Sequence, residues 1–409
     1  MPGTEAGTGF TRRRRLALGG GGALGLAFAG RASAAAPAAE AAVPFHGARQ
    51  PGILTAPPGR LAFAAFDLTP QGSRDLETLL RDWTAAAERL MAGRVVGVPA
   101  SPAAAPPDPG EAVGLAPAHL TITIGLGPGA FARGTGRAGL HPAGLEPLPV
   151  FQGDRLDPAR SGGDLCVQAC ADDAQVAFHA VHALAHLGRG AVTMRWLQTG
   201  FTRSHSGRGP HPTPRNLQGF RDGTANIAPT EAAALRRHVW VGPEGPRWLR
   251  GGTYLVARRI RIHMERWDAT PLSQQEGVIG RRKDTGAPLT GVHERDVPDF
   301  SAKNGQSFLP VIPMSAHIRQ AHPVNNRGVR MLRRGYSFAD GADPGTGDLD
   351  AGLFFIAFVR DPFRQFVPVQ ARLAASDALN DFIQHRSSAV FAVPPGVSPG
   401  GVVGGGLFA

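Results

Sequence analysis

Apolar positions change their spacing several times along the chain, and each change marks an element. Residues 61–68, Leu61-Ala62-Phe63-Ala64-Ala65-Phe66-Asp67-Leu68, are a near-continuous apolar run of strand length. Within 73–92, Leu76, Leu79, Leu80, Trp83, Ala87, Leu90 and Met91 fall on one face of a helix. A Pro- and Ala-rich loop fills 99–117, and residues 119–126 alternate as a strand does. A strand at 164–170, a helix at 173–188 and a strand at 191–198 complete the first half. This order, strand-helix-strand-strand-helix-strand, is the ferredoxin-like arrangement of one antiparallel sheet with helices on one face. The second half repeats much of it: strand 254–262, helix 264–280 around Trp267, strand 353–359, helix 369–386 through Val369, Leu373, Leu379 and Phe382, and strand 390–393. No residue-level repeat accompanies the repeated order. The expected fold class is α+β: tandem ferredoxin-like domains of the dimeric α/β-barrel type, at 50–215 and 216–395, built on antiparallel sheets. Residues 396–409, rich in Gly and Val, read as a loose tail with room for one short strand.

Composition agrees with a folded chain of two ordinary domains or one large one. There are 409 residues, of which 42% are hydrophobic and 18% charged. The 55 Gly and 36 Pro imply long connections and many turns. The formal charge of +11 is scattered, with no basic stripe interleaved with aromatics, so a nucleic-acid partner is not expected. A basic surface of this kind still attracts small anions. Cys166 and Cys170 point to one face of their strand and read as small apolar residues rather than a strained disulfide or half a metal site.

The first 40 residues carry an export pattern. Arg12 to Arg15 precede a mild apolar run from Leu16 to Ala29, and Ala32-Ser33-Ala34 is a small-residue cleavage pattern. Fourteen residues are too few to cross a bilayer. The arginines before a weakly hydrophobic core point to the twin-arginine route, with its translocation machinery as the partner during export. The mature protein is then expected in the periplasm or outside the cell.

Chemistry concentrates in three places. The first is Gly219-Phe220-Arg221-Asp222-Gly223-Thr224-Ala225-Asn226, a carboxylate held between two glycines. The second is Pro313-Met314-Ser315-Ala316-His317-Ile318-Arg319, a His on an apolar segment and a suitable axial ligand for haem iron, with His322 as the alternative. The third is Arg333-Arg334-Gly335-Tyr336-Ser337. His179, His182 and His186 share a helix face without a fixed carboxylate at ligand spacing, and read as partly buried or surface side chains. His205 and His211 sit in a Gly/Pro/Ser loop and are expected to be solvated.

Together with Phe63-Ala64-Ala65-Phe66-Asp67-Leu68, Gly153-Asp154-Arg155-Leu156-Asp157 and Gly162-Gly163-Asp164-Leu165, these segments resemble the dye-decolourising peroxidase family. They are most similar to its exported branch, which includes deferrochelatase/peroxidases of bacterial iron uptake. The resemblance spans roughly 50–395. It implies haem b, one per chain, in the C-terminal domain, with hydrogen peroxide and a small-molecule reductant as substrates. Asp222 resembles the distal acid/base, Arg333 the distal arginine and His317 the proximal iron ligand. Gly223 and Thr224 accompany them at the cofactor. Where members often carry Asn, this chain has His322. A homo-oligomer is left open.

A carboxylate can first accept a proton from peroxide and then return it to the leaving oxygen, and an Asp is ordinarily ionised at neutral pH. Arg333 would stabilise the charge that develops. Activity on anionic dyes is therefore expected to be highest at acidic pH. Asp350 is a weak candidate for the hydrogen-bond partner of His317, a strand cap being the plainer reading. Tyr336, Trp248, Trp267 and Trp240 are candidate relays from surface aromatics. A haem-handling protein of iron uptake, with incidental peroxidase activity, is the alternative function.

Overall fold

Strand β1, Arg60–Leu68, lies between β3, Leu165–Ala171, and β4, Val192–Phe201. The computed structural model describes residues 42–132, 137–206, 212–305 and 307–409, all within one compact unit. The expected export signal lies outside the described residues. β2 is Thr121–Leu126, on the far side of β3. The second half contributes β5, Thr253–Ile262; β6, Leu332–Arg333; β7, Tyr336–Ala342; β8, Leu349–Val359; β9, Ile383–His385; and β10, Ala389–Val393.

β8 pairs with both β7 and β5, so eight strands close a ring in the order β8-β7-β4-β1-β3-β2-β10-β5, with short β6 and β9 attached to β8 and β5. In each half the four ring strands run fourth, first, third, second: β4-β1-β3-β2 and β10-β5-β8-β7. Two seams join the halves, Leu126 opposite Ala392 and Phe201 opposite Ser337. The result is a closed antiparallel β-barrel.

Side chains from β1, β3, β4, β5, β7, β8 and β10 meet in one cluster inside the ring, including Phe63, Cys166, Cys170, Tyr336, Phe354 and Phe391. The two thiols are free, and burial pushes that of Cys166 well up, so it stays protonated and inert. Outside the ring, helices Leu76–Met91 and Ala174–Leu187 cover the first half. Asp173 caps the second of them, accepting from the N–H groups of Gln175 and Val176. Trp83, fully buried, ties the two together by donating to Leu184 O at 2.8 Å. No helix among the described residues is long and apolar enough to cross a membrane.

The second half departs from the sequence expectation in four places. Helix 264–280 is split into Met264–Asp268 and Leu272–Ile279, because Pro271 disfavours helical backbone before it and has no N–H to give. Helix 369–386 is Phe366–Ser376 only; Asp377 turns extended, caps the next turn through Leu379 N–H, and 383–385 pair with β5 instead. β6 and β7 were not expected. The tail 396–409 is not loose: Val403 and Leu407 are buried, and Val403 N–H donates to Thr84 Oγ1 at 3.1 Å.

Candidate active site

The Asp222 loop is held by its own backbone and one aromatic plug. Asp222 N–H donates to Pro214 O at 2.8 Å, and Asn216 N–H to Phe220 O at 3.0 Å. Gly223 has φ +125°, an angle that L side chains rarely adopt, and Gly219 has φ +84° with Lys283 Cε 2.6 Å from where a Cβ would sit. Phe220 is buried edge-on against Trp267, with ring centroids 5.9 Å apart. Trp267 in turn donates from Nε1 to Gln218 O at 3.1 Å. Ile279, Leu379 and Phe382 complete this cluster, so the floor beneath the loop is apolar and fixed.

Arg333, on β6, donates from Nη1 to Asp222 Oδ1 at 3.0 Å. The two side chains are 32% and 29% accessible, so both face open space as well as each other. Asn226 joins their backbones: its Nδ2 donates to Arg333 O at 2.7 Å, and Arg333 N–H donates to its Oδ1 at 2.8 Å. Thr224 Oγ1 donates to Glu294 Oε1 at 2.9 Å, and Arg221 and Thr213 also bond the Glu294 carboxylate.

His317 opens the short helix His317–Ala321. Its Nδ1 lies 2.5 Å from Asp377 Oδ2, and among the described residues Nε2 makes no hydrogen bond. The His317 side chain is 33% accessible, whereas Asp377 is 3% accessible. Burial alone would lower its pKa; the Asp377 carboxylate outweighs that and holds it above the usual imidazole range. Arg333 and Asp222 also act on it electrostatically, in opposite senses, which places all three within range of one another.

A cavity of about 320 Å³ opens beside the Asp222–Arg333 pair, with Pro57 and Thr202 of the first half in its wall. Asp222, Gly223, Asn226 and Arg333 line one part of it, and His205, Arg295 and Arg334 another. Arginines outnumber the one carboxylate, so the way in favours anions and neutral polar molecules.

Models of the Dyp-type peroxidase N-terminal and C-terminal domains match residues 50–202 and 213–398. The dye-decolorizing peroxidase of Thermobifida fusca (strain YX) is 40% identical over 359 residues, 85% of this chain and 81% of that one. The chain belongs to the Dyp-type peroxidase family. The deferrochelatase of Escherichia coli (strain K12) is 36% identical over 360 residues, 87% of this chain and 84% of that one. Ferric DtpA from Streptomyces lividans superposes with a TM-score of 0.82 at 43% identity, covering 90% of this chain and 97% of DtpA. As a Dyp-type peroxidase the chain is an enzyme that reduces hydrogen peroxide and oxidises a reductant.

The structure places Asp222, Gly223 and Arg333 on one cavity wall, with His317 outside that lining but within electrostatic range of Asp222 and Arg333. Thr224 is beside them, but its hydroxyl is taken by Glu294. His322 is turned away: its Nδ1 accepts from Val324 N–H at 3.2 Å and its ring lies edge-on to Phe300. Asp350 does not serve His317; it pairs with Arg259 at 2.8 Å, because β8 places it beside β5. The relays Tyr336, Trp248, Trp267 and Trp240 are all buried, so none offers a surface contact to a bulky reductant. His205 lines the cavity rather than standing in solvent, and His211 lies outside the described residues. His179 and His182 both direct Nδ1 at Glu111, a carboxylate from the 99–117 loop. Sequence reasoning missed Asn226, Glu294 and Asp377 as partners. Only Asn226 had a visible signal, its place at the end of the Gly-flanked loop.

Proposed function

We propose that Asp222, Arg333 and His317 are the working centre of a haem peroxidase in which Asp222 is the acid/base. The observation that carries this is the 3.0 Å Asp222–Arg333 pair set within electrostatic reach of an imidazole held at Nδ1 by Asp377. The donor set fits a haem: His317, whose Nε2 makes no hydrogen bond among the described residues, would hold the iron, a partly accessible carboxylate and guanidinium would serve the peroxide, and Phe220, Trp267 and Phe382 form an apolar cluster under the Asp222 loop. When bound, haem supplies the redox chemistry, taking the oxidising equivalents of peroxide and drawing electrons one at a time from a reductant.

The chain's own groups do the rest. Asp222 takes the proton from one peroxide oxygen and returns it to the other, the leaving one. Arg333 stabilises the negative charge that grows on that oxygen and holds the Asp222 carboxylate in place meanwhile. Asp377 fixes the His317 tautomer so that Nε2 carries the lone pair toward the cofactor, and it raises the basicity of the ring.

Further readings rest on this one. The shared strand order supports two ferredoxin-like halves, with bounds near 50–215 and 216–395 and haem in the second, which supplies all three residues. Haem b, one per chain, is expected from the resemblance to the family. Arg12 to Arg15 and Ala32-Ser33-Ala34 support twin-arginine export to the periplasm or beyond. The Escherichia coli relatives named deferrochelatase favour a second reading, removal or delivery of haem iron.

The test is an absorption spectrum of haem-loaded protein beside His317→Ala and His322→Ala. An intense Soret band lost only in His317→Ala is expected; a colourless wild type would remove both readings. Asp222→Ala separates them. A peroxidase loses turnover, whereas a haem handler keeps binding and transfer.

A further inference from the structure

Glu294 belongs to the long connection between helix Leu272–Ile279 and the His317 helix, and it touches none of the reacting groups. Its carboxylate nevertheless collects three side chains of the Asp222 loop: Thr224 at 2.9 Å, and Thr213 and Arg221 more closely. Arg221 and Thr224 flank Asp222 in the chain. Thr213 adjoins Pro214, whose carbonyl accepts the Asp222 N–H at 2.8 Å. Both arms of the loop are therefore tied to one carboxylate that is only 14% accessible. Glu294 is itself anchored, since Arg281 Nη1 donates to its carbonyl oxygen at 2.8 Å and to Gly286 O at 2.7 Å. Burial would raise the Glu294 pKa, but Thr213, Thr224 and Arg221 outweigh burial and lower it, so the group stays anionic.

We propose that Glu294 is a positioning residue of the peroxide reaction, holding the backbone on both sides of Asp222 so that its carboxylate stays aligned with Arg333. This rests on the acid/base reading of Asp222. It also assigns the Thr224 hydroxyl to loop geometry rather than to cofactor contact. Small displacements of a reacting group cost much, about a hundredfold for a shift near 1 Å.

Cyanide is the probe, because hydrogen cyanide, like peroxide, must give up a proton as it binds. The dissociation constant is read from the Soret shift of haem-loaded protein, for wild type, Glu294→Ala, Asp222→Ala and the double variant. Glu294→Ala is expected to weaken cyanide about tenfold in the wild-type background and to add nothing once Asp222 is gone. Glu294→Gln, which still accepts from the threonines, recovers part of the loss; Thr224→Val shows a smaller one. If Glu294→Ala does not take up haem, the cycle is run with Glu294→Gln and Thr224→Val. Unchanged cyanide affinity in the Glu294 variants, or an equal loss with and without Asp222, overturns the proposal. Wild-type affinity in Asp222→Ala overturns it differently, by removing the acid/base role itself.

Discussion

Asn226 and Arg333, 107 residues apart, are joined by two hydrogen bonds running in opposite directions, side-chain amide to carbonyl at 2.7 Å and backbone N–H to amide oxygen at 2.8 Å. This pair, more than the contact between mobile side-chain ends, sets how far the Asp222 loop stands from β6. Asn226→Ala leaves both backbone groups of Arg333 unsatisfied in a half-buried place. It is expected to cost roughly 1–3 kcal/mol of stability, seen as a lower urea midpoint at unchanged slope.

Asp222→Ala removes the only carboxylate among the described residues on the cavity wall. The rate of the peroxide reaction, followed by stopped-flow absorbance, should fall by about 10²–10⁴ while haem uptake persists. A variant that reacts at the wild-type rate would show that another group carries the proton.

Asp377→Asn keeps an oxygen for the Leu379 N–H but loses the negative charge at His317 Nδ1. Haem affinity or activity should drop by roughly 10–100-fold, and the ferric/ferrous potential should move upward as the ring becomes a poorer donor. Redox titration of wild type and variant side by side checks both the size and the direction.

Two surface pairs add to stability at the acid end. Arg330 and the Ala228 N–H hold Glu231 at about 2, and Arg360 holds Glu244 at about 2, against the ordinary 4.5 for both. A carboxyl depressed in this way stabilises the fold above its unfolded value, and the gain is lost as pH falls through the folded one. The melting temperature should therefore decline between pH 4.5 and about pH 2. Both carboxylates are well exposed, so the decline is shallow, a few degrees at most. Glu231→Gln combined with Glu244→Gln should flatten this part of the profile, as calorimetry across pH would show.

Periodicity made the long elements legible. β1, β5 and the helix around Trp83 have patterns strong enough to stand alone. β6, β7 and β9 do not: two are very short, and β7 runs into Ala339-Asp340-Gly341, where pairing with β8 rather than side-chain pattern keeps it extended. The helix expected through Phe382 failed because Asp377 offers its own backbone a competing cap. The same residue is the His317 partner, and nothing in its neighbours announces that; the two lie 60 residues apart and meet only after folding. Asp222, His317 and Arg333 were readable as a set because each sits in a motif, whereas Glu294 sits in none.

The ring of strands is unevenly sewn. Within each half, neighbouring strands run side by side for most of their length, but the halves meet at one opposed pair on each side, Leu126 with Ala392 and Phe201 with Ser337. Under mechanical load the molecule should part there first, like a cuff with two buttons. One button, Ser337, also lines the cavity above Asp222 and Arg333. Opening of that seam would therefore loosen the cavity wall that Asp222 and Arg333 share with Ser337.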